Sequence, residues 1–211
     1  LAAEGRDITH AERRLDEALG SLLAIPEEKR GADGNFAIGR VYAFREEWGE
    51  ARKYLDLALG AASANPDVLS ALVQVDAAQN RLADSYERIR AAREANPKDA
   101  RLHLLFGELS AAAGRRDDAE AAFRKAIEVD PNQLAAYSRL AGLFIATQRE
   151  AEAITTYESA LGKSPKSAPL HFQLGVLLEA SGRSDDAMGH YEAAIEIDPG
   201  FAIAKNNLAY L

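Results

Sequence analysis

Pro97, Pro131, Pro165 and Pro199 stand 34 residues apart. A fixed period of that length constrains a fold more than any single motif, because one supersecondary unit is being written again and again. The eighteen residues ending at each proline align without a gap: NRLADSYERIRAAREANP, GRRDDAEAAFRKAIEVDP, QREAEAITTYESALGKSP and GRSDDAMGHYEAAIEIDP. Ala119, Phe123 and Ala126 recur at helical spacing, as do Ala187, Tyr191 and Ala194. Asp117, Asp118, Asp185 and Asp186 fall in a first helical turn, where carboxylates meet the positive end of the helix. Gly114 and Gly182 close the preceding helix, where glycine takes a positive φ at little cost. The prolines end each unit because proline cannot continue a helix interior.

Each unit has an earlier half. ARLHLLFGELSAAA from Ala100, LAAYSRLAGLFIAT from Leu134 and APLHFQLGVLLEAS from Ala168 carry apolar residues at helical spacing, then a small or polar break. One unit is therefore two antiparallel helices joined by a tight turn. Neither helix alone can bury its apolar stripe, and stacked neighbours bury it in one continuous core. Abundant alanine and few β-branched runs agree with an all-α chain.

The pattern resembles the tetratricopeptide repeat family, on Leu174, Gly175, Ala187, Tyr191, Ala194 and Pro199; on Phe106, Gly107, Ala119, Phe123, Ala126 and Pro131; and on Tyr137, Leu140, Ala141, Phe144, Ala153, Tyr157, Ala160 and Pro165. Two earlier units fit less well. Ile38, Gly39, Tyr42, Ala51, Leu55 and Ala58 match, but Pro66 arrives three residues late, which predicts one extra helical turn before it. The next unit has Val73, Asp76 and Ser85 where Gly, Tyr and Ala are usual, and is expected to be the weakest link. Residues Ile8 to Ala24 fit a second helix, on Ala11, Leu15 and Ala18. The resemblance implies a right-handed superhelical solenoid of antiparallel helix-turn-helix repeats: a partial unit over 1–31, full units over 32–65, 66–99, 100–133, 134–167 and 168–201, and the start of another over 202–211. Both ends stop inside a unit and are expected to be truncated.

Small residues at Gly39, Gly107, Ala141 and Gly175 are expected at the helix crossing, facing Ala51, Ala119, Ala153 and Ala187. Phe123, Tyr157 and Tyr191 are expected to fill the space between adjacent units.

Chemistry is sparse. A net charge of −8 opposes a broad phosphate-binding surface, so no nucleic-acid partner is expected. No cysteine is present, which removes thiolate metal sites and leaves a cytoplasmic or a periplasmic setting equally open. No apolar run is long enough to insert in a membrane. His103 and His171 occupy a packing position of the repeat, and His10 and His190 read as isolated on helix surfaces. The aspartate pairs recur at one repeat position and read as helix starts. No catalytic residues, metal or cofactor are expected, and the chain does not read as an enzyme.

Function in such an array is expected on its surface. The resemblance implies a concave groove lined by first helices and binding a protein or peptide, as a scaffold or adaptor. Here that lining is Phe36, Arg40, Gln74, Arg101, Leu104, Glu108, Ser138, Arg139, Phe172, Gln173, Asn206 and Asn207, with Ser70, Val176, Glu179 and Tyr210 nearby. Arg, aromatic and amide side chains suit peptide capture. Neither the family's carboxylate clamp nor its asparagine ladder is present: successive units have Ala37, Ala71, Leu105, Arg139 and Gln173 before Asn207. Alternatives are an architectural module of an envelope or secretion complex, self-associating through the half-units at its ends, and the regulatory arm of a larger enzyme such as a transferase. The Ala- and Arg-rich composition reads as bacterial.

Overall fold

The computed structural model describes the backbone of residues 2–61 and 64–210 and the side chains of residues 13–60 and 64–210. His10 and Ala11 carry side chains outside that range. Twelve helices and no strand occur among the described residues. In order they are α1 (Ala2–Leu23), α2 (Glu27–Phe44), α3 (Trp48–Ala61), α4 (Pro66–Ala78), α5 (Leu82–Ala95), α6 (Ala100–Ala112), α7 (Arg116–Val129), α8 (Leu134–Ala146), α9 (Glu150–Lys163), α10 (Ala168–Ala180), α11 (Ser184–Ile197) and α12 (Ala202–Tyr210). They fall into two compact units, residues 1–96 and 97–211. The fold is an all-α helical-repeat solenoid.

The period survives at the level of backbone. Helices α3, α5, α7, α9 and α11 each have fourteen residues, and α4, α6, α8 and α10 each have thirteen. The extra turn expected before Pro66 falls on residues 62 and 63, which lie outside the described residues. Pro66 instead opens α4 as its first residue, where its missing N–H costs nothing, and Asn65 Oδ1 caps the helix by accepting from the Asp67 amide at 2.9 Å. Helix α1 begins at Ala2, well before Ile8. It packs through Leu19, Leu22 and Leu23 against Ile38, Val41, Tyr42 and Tyr54, while Ala18 is exposed, so its buried face is rotated from the expected one. Gly31 breaks α2 with φ 64, and Arg30 folds back to donate to Leu23 O at 3.0 Å and Ile25 O at 2.8 Å.

Every turn within a pair closes through a left-handed residue: Glu46, Asn80, Gly114, Gln148 and Gly182, at φ 56 to 75 and 34 positions apart. Two are glycine, as expected, and three bear side chains. The turn geometry is thus imposed by the packed helices, not by glycine alone.

The closeness of each helix pair follows the size of one residue. Pairs with Gly39, Gly107 or Gly175 at the crossing are the most closely apposed, the pair with Ala141 less so, and α4–α5, with Val73, least. The atoms nearest these glycines belong to Leu55, Phe123 and Tyr191, one helical turn beyond the expected Ala51, Ala119 and Ala187. A Cβ on Gly39 would meet Leu55 Cγ at 2.8 Å, one on Gly107 would meet Phe123 Cε1 at 2.5 Å, and one on Gly175 would meet Tyr191 Cε1 at 2.7 Å. The ring therefore lies on its own unit's backbone, while the same Phe123, Tyr157 and Tyr191 join the core shared with following helices. Because α4–α5 is the loosest pair, its amides are expected to exchange faster than those of α8–α9. Equal or slower hydrogen exchange there would contradict this.

Three residues at one repeat position tie a first helix to the turn before it. His103 Nε2 donates to Pro97 O at 2.9 Å, Tyr137 Oη to Pro131 O at 3.2 Å, and His171 Nε2 to Pro165 O at 3.0 Å. The histidines there are structural. His190 is not isolated: its Nδ1 lies 3.0 Å from His171 Nδ1. Since the His171 proton is on Nε2, its Nδ1 must accept, and His190 Nδ1–H donates. Burial, then the neighbouring His171, push the His190 pKa below its ordinary value, against the pull of Asp186 and Glu158. The unfolded chain therefore takes up this proton first as pH falls. Stability should be full above pH ~6.5 and decline below it. A His190→Gln variant is expected to flatten that decline in urea titrations between roughly pH 7 and 5; an unchanged slope would contradict the assignment.

In the first unit the unusual residues answer one another. Asp76 is fully buried, accepts from Ser85 Oγ and pairs with the guanidinium of Arg52, with Arg88 Nη1 4.0 Å away. Arg88 also reaches Asp56 at 3.5 Å. Aspartate and serine at usually apolar or small positions are thus a matched set spanning α3, α4 and α5.

Candidate partner-binding grooves

Each unit carries a groove along its first helices. In the first unit, Phe36, Arg40, Ala43 and Phe44 of α2, Trp48 of α3, and Asp67, Ser70, Ala71 and Gln74 of α4 enclose about 480 Å³. The helical period places them there: residues four apart on α2 present one face, and α4 meets it one unit later. Arg40 and Gln74 are exposed and Phe36 is half-buried, with the Arg40 guanidinium 5.8 Å from the Phe36 ring centroid.

In the second unit, Glu108 and Ala111 of α6, Gly114, Arg116 and Phe123, and Ser138, Arg139, Gly142, Leu143 and Ala146 of α8 enclose about 610 Å³. Arg139 Nε donates to Glu108 Oε1 at 2.6 Å across neighbouring repeats. Both groups are substantially exposed, so the pair contributes little to stability and its partners can exchange for a ligand.

The structure thus gathers Phe36, Arg40, Ser70 and Gln74 round one groove and Glu108, Ser138 and Arg139 round the other. The remaining expected residues divide. Arg101 and Gln173 are exposed on α6 and α10, and Asn206 is exposed on α12. Leu104 is half-buried and packs on the core. Phe172 stacks edge-on against Phe201, with centroids 5.3 Å apart, and lies 5.9 Å from Tyr191. Asn207 Nδ2 donates to Tyr191 Oη at 3.1 Å, and that hydroxyl donates to Glu179 at 2.6 Å. Leu104, Phe172 and Asn207 therefore serve packing as much as surface. Sequence reasoning missed Phe44, Trp48 and Arg116, which line the grooves but lie at or beyond the ends of first helices.

A third hollow of about 220 Å³, between Arg124, Leu140, Phe144, Glu152, Thr155, Thr156 and Ser159, differs in kind. Its hydroxyls donate to backbone carbonyls one turn earlier, Arg124 pairs with Glu120, and Glu152 pairs with Arg149. Its donors are already satisfied within the fold. At the helix starts, Asp186 pairs with Arg183 at 2.6 Å, and Asp117 and Asp118 occupy the first turn of α7, so the aspartate pairs start helices.

Models described as tetratricopeptide repeat match residues 110–171 and 150–209, and another of the same description matches residues 70–132. Together these cover 70–209, well over half of the chain. No curated protein matches the chain in sequence. Among solved structures, MamA superposes with a TM-score of 0.62 at 19% identity, over 78% of this chain and 96% of that one. TTC0263, a thermophilic TPR protein in Thermus thermophilus, gives 0.60 at 16% identity, over 85% and 98%. YrrB, described as a TPR protein with an unusual peptide-binding site, gives 0.56 at 18% identity, over 87% and 95%. These likenesses establish the fold. Repeat register, helix architecture and model matches agree: the chain belongs to the tetratricopeptide repeat family, whose members are in general non-catalytic protein-interaction modules.

Proposed function

We propose that this protein is a scaffold or adaptor that holds a segment of a protein partner against the first-helix grooves, without covalent chemistry. One observation carries the reading. The groove linings keep Arg40, Gln74 and Ser138 exposed, the first two beside Phe36, Phe44 and Trp48, whereas the hydroxyls of the hollow on the second-helix side donate to their own helix. Such mixed linings give main-chain hydrogen bonds from amides and anchoring from aromatic and guanidinium groups. The test uses exposed residues that do not support the core. Gln74→Ala, Arg139→Ala and Gln173→Ala combined should weaken a confirmed partner at least tenfold with helix content unchanged. Unaltered affinity would show that the partner binds elsewhere.

A second reading is self-association through α12, where Ile203 is 58% and Tyr210 90% exposed. Light scattering over a concentration series separates the two readings: growth in mass favours assembly, a constant monomer favours the adaptor.

A further inference from the structure

The repeats supply their own control. At the thirteenth position of a unit, four units carry alanine (Ala78, Ala112, Ala146 and Ala180), and the unit beginning near residue 32 carries Phe44. At the seventeenth, the others have Leu82, Arg116, Glu150 and Ser184, and this unit has Trp48, the chain's one tryptophan. Packing does not demand the exchange, because Phe44 is 69% exposed. A large aromatic held in water, where its counterparts are methyl groups, is surface kept for contact. Phe36 completes a three-ring wall.

Arg40 stands against that wall. Its guanidinium lies over the Phe36 ring and pairs with no carboxylate among the described residues. Aromatics and arginine together are the composition of interface hot spots. A planar guanidinium resting on a ring keeps its N–H fork free for bidentate contact with a carboxylate. Across the groove, Gln74 offers an amide suited to a peptide backbone, and Asp67 places a negative charge on the α4 rim.

We infer that the groove of Phe36, Arg40, Phe44 and Trp48 is a recognition site for one side-chain carboxylate flanked by large apolar side chains, within an extended segment of a protein partner. This rests on the groove reading above and assigns a ligand chemistry to one of its sites. The carboxylate pairs with Arg40, and its apolar neighbours cover Phe44 and Trp48.

Trp48 fluorescence reads the site directly. The probes are three acetylated pentapeptides: Gly-Leu-Glu-Leu-Gly as the amide, Gly-Leu-Gln-Leu-Gly as the amide, and the glutamine peptide with a free terminal carboxylate. The glutamate peptide should give a saturable change and bind about fivefold tighter than the glutamine amide. Arg40→Gln should equalise the two, and Phe44→Ala should weaken both, with circular dichroism unchanged. Equal binding of the two amides, tighter binding of the free-carboxylate peptide, or no saturable change up to millimolar peptide overturns the inference. A confirmed partner that depends on Arg139 but ignores Arg40→Gln and Phe44→Ala removes this site and leaves the groove reading standing.

Discussion

Replacing Asp76 with alanine is expected to lower the unfolding free energy by about 2–4 kcal/mol. The carboxylate is fully buried and is shared by Ser85 and the guanidiniums of Arg52 and Arg88. Removing it leaves two cations facing a dry hole. Burial already pulls the Arg52 pKa below its ordinary value, which is the same penalty seen from the cation's side. The cost falls short of the extreme because the Arg52 and Arg88 side chains keep 18% and 27% of their surface exposed and can turn toward water. Ser85→Ala removes one hydrogen bond and should cost only about 1 kcal/mol. Urea unfolding followed by Trp48 emission measures both. A loss for Asp76→Ala no larger than that for Ser85→Ala would mean that the ion cluster does not hold α3, α4 and α5 together.

Gly107→Val should cost about 3 kcal/mol. Its Cβ would start 2.5 Å from Phe123 Cε1, and a branched side chain cannot rotate away from the ring. The chain itself displays the way such strain relaxes: where the crossing residue is Ala141 or Val73, the two helices are less closely apposed. Gly189 in α11 is the control, since a Cβ there meets nothing within 4 Å. Gly189→Ala should instead raise stability by about 0.5–1 kcal/mol, as alanine loses less backbone entropy in a helix. If both substitutions shift the midpoint alike, the crossing glycines are not fixed by packing.

The repeat and its helices were legible in the sequence because a 34-residue period leaves local helix signals and tertiary contacts in agreement. What was not legible depended on partners. Pro66 reads as a late terminator from spacing alone, whereas proline is equally at home at the first position of a helix. Asp76 reads as a defect until Arg52, 24 positions earlier, is brought beside it. His190 reads as isolated because His171 lies on another helix. Ala18 is exposed and Leu19 buried because α1 takes its register from Ile38 and Tyr54, which spacing along α1 alone does not give. For the grooves, the family resemblance pointed to Phe36, Arg40, Gln74, Glu108, Ser138 and Arg139, which line the two hollows. It missed Trp48 and Arg116, which belong to second helices and reach the grooves through the turn.

The central claim, that first-helix faces hold the partner, is tested most directly by placing a photo-crosslinking amino acid at Ser138 and, separately, at Ser159. Ser138 lines the second unit's groove, and Ser159 lines the hollow on the second-helix side. With a confirmed partner, irradiation should give a covalent adduct from position 138 and none from position 159. An adduct from 159 with none from 138 would contradict the account.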